Sequence, residues 1–353
     1  MRKKSDSEQK QLVSKGSVAI QAGEDVHINF GLTYNDVKEI VLSLFKENFI
    51  ELSKEAGTIA QQRAEEITDK FLSKLKDEFP EGLQRANDPD FQFSLYTIQK
   101  EYARNGDRDL SEILVDLLVD RSKLPYRDIL QIVLNESLNT APKLTEDQIS
   151  ALSLIFLFVF TINHSVKNHD LLGQYFDHYV FPFSEKISKK TSCYRHLAYS
   201  NCGTISSGIF SLPNLLGQHY QGLFFKGFSI EEIEKRDIPN NYYSKYFIDC
   251  LNDTSKKQLS FVNKNDLKDK LIQDKLPKVD QDKILSLFDY QKMSDEEIRT
   301  KCLEIRPYME NIFDIWKNSE MCRFNLTSVG IAIGHANIKR ITGYFTDLSI
   351  WIN

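Results

Sequence analysis

The stretch SVAIQAGEDVHINF, residues 17–30, leads directly into a helical pattern that continues to Phe79. Apolar and polar residues alternate on both sides of Gly23-Glu24-Asp25, and this period of two is typical of β-strands. We therefore expect a β-arch of two short strands over residues 17–30. A two-stranded unit is only marginally stable alone in water, so its apolar face is expected to pack on the rest of the chain or on other copies of it.

Two helices are predicted after the arch. Thr33 and Asp36 have the spacing of an N-terminal capping box. A second amphipathic run follows Gly57 and ends at Pro80. Its apolar face permits either coiled-coil association or packing on the body. We predict that residues 17–80 are an oligomerisation region that uses Val18, Ile20, Val26, Ile28, Phe30, Val37, Ile40 and Leu44.

The remaining chain predicts a mainly α fold. The segment from Thr145 to Asn163 is apolar on nearly every side, as expected for a helix at the centre of a body. The predicted divisions are a disordered lead (1–16), the β-arch and long helix (17–80), a multi-helix body (88–190), a loop-rich insert (191–228) and a C-terminal helical region with a terminal strand (229–353).

Composition favours an ordinary soluble protein. The chain is 41% hydrophobic, which is enough to build a core, and its net charge of −5 gives no bulk attraction to nucleic acid or anionic membranes. The five cysteines are odd in number and scattered, which indicates a reducing compartment. No apolar run follows the charged N-terminus, and the most apolar segment, 151–162, is shorter than the ~20 residues that a membrane span needs. We expect a cytoplasmic protein without a transmembrane segment.

One region has the residue types of a zinc site. Cys193, His196 and Cys202 carry thiol and imidazole groups at short spacing, and His164 or His169 would supply a fourth ligand. This pattern supports a metal-dependent hydrolase or nuclease as the alternative function. The competing interpretation is buried thiols and hydrogen-bonded histidines, with no cofactor. Neither of the common glycine-rich phosphate-binding patterns occurs in the sequence.

Two further patterns have structural explanations. Asp116 and Asp120 share a helix face between leucines, so we expect them to form ion pairs with neighbouring helices rather than a metal site. Small residues recur in the segment LTSVGIAIGHANIKR, residues 326–340. They predict a helix that approaches its neighbours closely.

Three segments carry a resemblance to known proteins: SVAIQAG (17–23), LVDLLVDR (114–121) and the tail formed by LTSVGIAIGHAN (326–337) and LSIWI (348–352). Together they resemble an uncharacterised bacterial family over most of the chain. The tail pattern Leu-Thr-x-x-Gly is also similar to that of the abortive-infection alpha group of phage-resistance proteins. The resemblance implies a bacterial cytoplasmic protein in anti-phage defence and supplies no catalytic residues.

These observations favour an oligomeric interaction or scaffold protein over an enzyme. The arch and the following helix would join copies of the chain, and the helical body with the Tyr- and Phe-rich insert would bind a protein partner. Nucleic acid is the less favoured partner because the bulk charge is negative.

Deletion of residues 1–31 tests the predicted oligomerisation region. We expect the full chain to be an oligomer in solution and the deletion variant to have a smaller mass, because the apolar face of the arch is lost. Light scattering coupled to size-exclusion chromatography measures both masses. An unchanged oligomer, or a monomer before and after deletion, would contradict the prediction.

Overall fold

The computed structural model describes residues 32–48, 54–124 and 126–352. The predicted arch, with Val18, Ile20, Val26, Ile28 and Phe30, lies outside the described residues. Within them the mainly α prediction is confirmed. The α-helices are α1 (Tyr34–Asn48), α2 (Lys54–Glu78), α3 (Pro89–Asn105), α4 (Arg108–Ser122), α5 (Ile129–Thr140), α6 (Glu146–Ile155), α7 (His169–Tyr175), α8 (Thr191–Tyr199), α9 (Leu212–His219), α10 (Ile230–Glu234), α11 (Tyr243–Tyr246), α12 (Lys264–Gln273), α13 (Lys278–Ser286), α14 (Asp295–Ile305), α15 (Met309–Lys317) and α16 (Ser328–Thr342).

Shorter elements connect these helices. Two π-helical segments, Phe156–Phe160 and Phe176–Val180, extend α6 and α7 directly. Strand β1 (Gly203–Ile205) pairs antiparallel with β4 (Phe324–Leu326), and β2 (Phe247–Asp249) pairs antiparallel with β3 (Lys257–Leu259). The 3₁₀ helices are Pro80–Asn87, Ala141–Lys143, Phe181–Phe183, Gln221–Leu223, Asn240–Tyr242, Leu287–Asp289, Glu320–Arg323 and Leu348–Ile350.

Helix α16 is the centre of the body and packs against α4, α5 and α6. Its glycines allow close approach. A Cβ at Gly334 would lie 3.0 Å from the carbonyl oxygen of Leu152, and one at Gly330 would lie 1.9 Å from that of Cys202. The prediction of a close-packed helix of small residues is therefore confirmed. The apolar segment beginning at Thr145 is also buried as predicted, with α6 and its π-helical extension filling the space beside α16.

The N-terminal helices pack on the same body. Thr33 and Asp36 form the predicted reciprocal bonds, with the Thr33 backbone N–H 2.9 Å from Asp36 Oδ2 and the Asp36 N–H 3.3 Å from Thr33 Oγ1. The apolar face of α2 is buried against α3 and α4 of the same chain. Val37 is fully buried, whereas Ile40 and Leu44 are partly exposed. The oligomerisation role of these residues stays a prediction.

Two local predictions are wrong. The terminal segment expected as a strand contains the 3₁₀ helix Leu348–Ile350, because the Asp347 side chain accepts from the Ser349 N–H and Leu348 and Ile352 are buried in the core. The predicted loop-rich insert, 191–228, contains helices α8 and α9 beside the short strand β1. Both helices are too short to show a helical period clearly, and α9 depends on the Ser211 N-cap followed by Pro213.

Residues 225–292 form a unit inserted into the body. The chain enters and leaves at one point, where Phe225 and Lys292 form an antiparallel bridge and the Met293 N–H donates to the Phe224 carbonyl at 3.0 Å. The unit has its own hydrophobic core, whose buried members lie between Phe225 and Phe288. The buried members of the main core lie on either side of it, up to Phe224 and again from Ile298. The domain boundaries predicted from sequence stay a prediction. The two hydrophobic cores divide the chain differently, into residues 225–292 and the body on either side of them.

Replacement of residues 227–290 by a short Gly-Ser turn should leave the body folded. The body loses no buried member of its main core, although the partly buried Leu251 and Val262, which pack against that core, are removed. The Gly222 N–H and the carbonyls of Gly222 and Leu223 also lose hydrogen bonds that water replaces at a cost of roughly 1 kcal/mol each. We expect a single cooperative thermal transition, measured by circular dichroism against the full chain. An insoluble or non-cooperative product would show that the body requires the inserted unit.

Candidate functional site

The cysteines of the predicted zinc site are both buried. Cys193 lies in α8, and Cys202 lies just before β1. Burial raises the pKa of each thiol to about 12. Zinc binds the thiolate form, and these environments favour the protonated form near neutral pH.

The three histidines proposed with them have separate surroundings. His196 Nδ1 lies 3.0 Å from Nε2 of Gln148, and His169 Nε2 lies 2.9 Å from the carbonyl oxygen of Leu223. His164 is exposed in a turn after the first π-helical segment. Across residues 32–48, 54–124 and 126–352, no group of three or more His, Cys, Asp or Glu side chains has an arrangement suited to a metal ion. The zinc site stays a prediction that the geometry does not support.

A cluster of six charged residues joins helices α2, α4 and α16. We call it the charge cluster, and its members are Lys74, Glu78, Asp116, Asp120, Lys123 and Lys339. Three carboxylates face three ammonium groups, so the cluster is neutral overall. The expectation that Asp116 and Asp120 form ion pairs with neighbouring helices is confirmed.

Lys339 of α16 is the hub of this cluster. Its Nζ lies 3.2 Å from Glu78 Oε2, 3.3 Å from Asp120 Oδ1 and 3.8 Å from Asp116 Oδ1. Lys123 Nζ closes a ring of alternating charge, at 2.9 Å from the same Glu78 oxygen and 2.8 Å from the same Asp120 oxygen. Lys74 of α2 pairs with Asp116. One cation of α16 therefore links two other helices.

The surroundings shift the pKa values within the cluster. Burial raises the pKa of Asp116 even though Lys74 and Lys339 oppose the change. Burial alone would lower the pKa of Lys339, but Asp120, Asp116 and Glu78 outweigh it and raise that pKa. Lys339 is therefore firmly protonated at neutral pH and is a poor general base. Perturbed pKa values occur both at catalytic sites and in structural ion-pair networks, and the mutual pairing here fits a structural network.

The sequence did not indicate the groove that segments distant in the chain form on the body. A half-open groove of about 900 Å³ lies between the 209–213 segment, α14, α15 and the 3₁₀ helix Glu320–Arg323. We call it the 209–323 groove. Its lining includes the buried Trp316, whose Nε1–H donates to the Phe210 carbonyl at 2.7 Å. Ile209 lies at the edge with 64% of its surface exposed.

Charged side chains of both signs line this groove. Asp295 and Glu296 lie in the first turn of α14, where carboxylates interact favourably with the helix dipole. Lys317 and Arg323 come from the end of α15 and the following 3₁₀ helix. The groove thus combines apolar side chains with charged side chains of both signs, a mixture that also occurs at protein–protein interfaces.

Together these features define a mainly α-helical protein with a half-open groove on its helical body. A protein-family model matches residues 31–352, so the chain belongs to that family. The family is uncharacterised, and its description names no activity, substrate or partner. No curated protein and no solved structure gives a significant match to the chain. None of the helices that the structure describes has both the length and the apolar character needed to cross a membrane.

Substitution Asp116→Ala tests the structural role of the charge cluster. It removes a buried carboxylate that bonds to Lys74, while Lys339 keeps Glu78 and Asp120. Loss of a hydrogen bond between charged groups costs about 1.5–3 kcal/mol of unfolding free energy. Chemical denaturation measures this change. The Asp116→Ala variant should remain folded, because Lys74 is accessible enough for water to hydrate its ammonium group.

Asp109→Ala is the matched control on the same helix. Asp109 pairs with Arg340 of α16 at 3.1 Å, but its side chain is 60% exposed. Exposed pairs contribute at most about 1 kcal/mol. Equal losses for the two variants would show that burial of Asp116 in the charge cluster has no special importance.

Proposed function

We propose that this protein is an interaction protein that binds a peptide segment of a partner protein in the 209–323 groove. The observation that carries the proposal is the exposed Ile209 beside the partly exposed Phe210 in the groove lining. Aromatic residues are enriched among the residues that contribute most binding energy at protein interfaces. An exposed aliphatic side chain at the edge adds apolar area that a partner would cover.

The charges of the groove favour a peptide over nucleic acid. Asp295, Glu296, Asp314 and Glu320 line the same surface as Arg299, Lys317 and Arg323. Phosphates bind surfaces where cations dominate, because their affinity depends on neutralisation of the backbone charge. A polypeptide can instead place an apolar residue against Ile209 and Phe210, and side chains of either charge against the charged residues of the groove. We therefore infer that the bound segment has an apolar anchor flanked by charged residues.

Oligomerisation through residues 17–80 belongs to the same proposal. An oligomer would present several copies of the 209–323 groove, and linked sites bind a multivalent partner more tightly than a single site does. The sequence pattern of residues 17–30 and the partly exposed Ile40 and Leu44 are its support. A cytoplasmic location fits the scattered, buried cysteines.

A role in bacterial anti-phage defence is a hypothesis that rests on the tail pattern. Each position of that pattern has a local structural reason here. Thr327 Oγ1 accepts from the Gly330 N–H at 3.3 Å and caps α16, while Gly330 leaves room for the Cys202 carbonyl. The pattern therefore supports a shared arrangement of the C-terminal helix more strongly than a shared activity.

Selection from a phage-displayed library of short random peptides tests the groove. We expect the full chain to enrich peptides in which an apolar residue is flanked by charges. Substitution Ile209→Asp should weaken binding of the best peptide roughly tenfold or more, because a charge replaces part of the apolar contact. Fluorescence polarisation of the labelled synthetic peptide measures the affinity.

The matched control is Ile272→Asp. Ile272 is 53% exposed on α12 of the inserted unit and does not line the groove. This variant should bind the peptide as the unmodified chain does. Absence of enriched peptides, or equal weakening by both substitutions, would contradict the proposal.

A further inference from the structure

A second cavity lies between the two π-helical segments and the C-terminal residues. Its volume is about 440 Å³, within the range of roughly 300–1,000 Å³ that is typical of small-molecule sites. We call it the aromatic cleft. Its lining includes Phe160, Tyr175, Tyr179, Tyr344, Phe345 and Trp351.

Contacts with the core hold several of these rings in place. Trp351 Nε1–H donates to the Phe160 carbonyl at 2.9 Å, and the Trp351 ring packs edge-on against buried Phe156 with centroids 4.9 Å apart. Phe345 and Trp351 lie nearly parallel, at 21° with centroids 6.0 Å apart. Tyr175 is buried and contacts the ring of Tyr179 at 5.5 Å. The walls are therefore preorganised, which reduces the ordering cost of binding.

Both π-helical segments contribute to the cleft. Phe160 ends the first segment, and Tyr179 lies in the second. π-Helical turns are rare and are frequently found at functional sites. The presence of two π-helical turns beside one cavity therefore supports a ligand site, independently of the aromatic residues that line it.

The polar groups at the edge of the cleft indicate the chemistry of its ligand. Thr161, Asn163, His164 and Thr346 provide hydroxyl, amide and imidazole groups. Among the side chains that the structure describes around the cleft, none is Asp, Glu, Lys or Arg. An anionic ligand group would have no lysine or arginine partner in this lining, and an aliphatic ligand would leave the polar edge unused. A flat ring with hydrogen-bonding groups on its edge could stack on the aromatic side chains and bond to the polar ones.

We propose that the aromatic cleft binds an uncharged heteroaromatic ring of the nucleobase type. Aromatic side chains stack on the faces of such rings, and each stacking contact contributes about 1–3 kcal/mol. Tyr344 is 78% exposed at the mouth of the cleft, so its ring can cover a bound base without loss of core packing. The polar groups at the edge would bond to the nitrogen and oxygen atoms of the base.

A nucleoside fits the surroundings better than a nucleotide. The neighbouring cavity shares Tyr344, Phe345 and Thr346 with the cleft and contains Lys123 and Lys339. These lysines are the nearest candidates for a phosphate, but both already pair with Glu78 and Asp120. A phosphate would have to displace these carboxylates, so we expect it to add no affinity.

Calorimetric titration of the full chain with adenosine, guanosine, cytidine and uridine tests the proposal. We expect saturable binding of at least one nucleoside, with no gain for its 5′-monophosphate. Substitution Tyr344→Ala should weaken that binding at least fivefold, through loss of one stacking contact. Tyr199→Ala is the matched control, because Tyr199 is 86% exposed at the end of α8 and does not line the cleft.

Three results would overturn the proposal. They are absence of saturable binding for all four nucleosides, equal effects of the two tyrosine substitutions, and tighter binding of N-acetyl-tryptophan amide than of any nucleoside. The last compound represents an aromatic side chain of a protein partner. Circular dichroism of each variant confirms that the exposed substitutions leave the fold intact.

Discussion

The close approach of α16 to α6 is the constraint on which the body depends. The Gly334 position leaves only 3.0 Å between an added Cβ and the Leu152 carbonyl, so the two backbones touch where most helix pairs are separated by side chains. Asn337 Nδ2 donates to Ser153 Oγ at 2.9 Å across the same contact. The surrounding helices α4 and α5 then cover the remaining sides of α16. A larger residue at this point would separate the elements that form the main core.

Charged groups reinforce this arrangement at places where burial would otherwise be unfavourable. Lys339 brings a cation from α16 to the carboxylates of α2 and α4, and Arg121 of α4 is fully buried beside Asp90 of α3. An unpaired charge in such positions would be costly, whereas a mutually paired set specifies which helices meet. We therefore infer that the charge cluster acts mainly on which helices become neighbours.

The two cavities lie at positions where the regular packing of this core changes. The aromatic cleft borders the π-helical extensions of α6 and α7, and the 209–323 groove borders short elements that return to the body after the inserted unit. Irregular or short elements leave space that long helices would fill. A rigid helical body with binding surfaces at its irregular edges is a common arrangement for recognition, because the scaffold holds the contact residues in place.

The amino-acid sequence alone predicted the helical class, the Thr33–Asp36 cap, the buried segment after Thr145 and the close packing of residues 328–342. Each of these follows from local patterns: capping chemistry, apolar periodicity and small side chains. It also indicated that Asp116 and Asp120 form ion pairs. It did not indicate that Lys339, more than two hundred residues later in the chain, would be their partner.

The positions of the candidate sites follow only from the packing of the helices. His164, His169, His196, Cys193 and Cys202 are near in sequence, but the two thiols are buried, His164 is exposed, and His169 and His196 lie against Leu223 and Gln148. The groove and the cleft are each built from segments far apart in the chain, such as 209–213 with 313–323, and 157–164 with 344–351. Local patterns carry no information about which distant segments meet, because that is set by the packing of complete helices around α16.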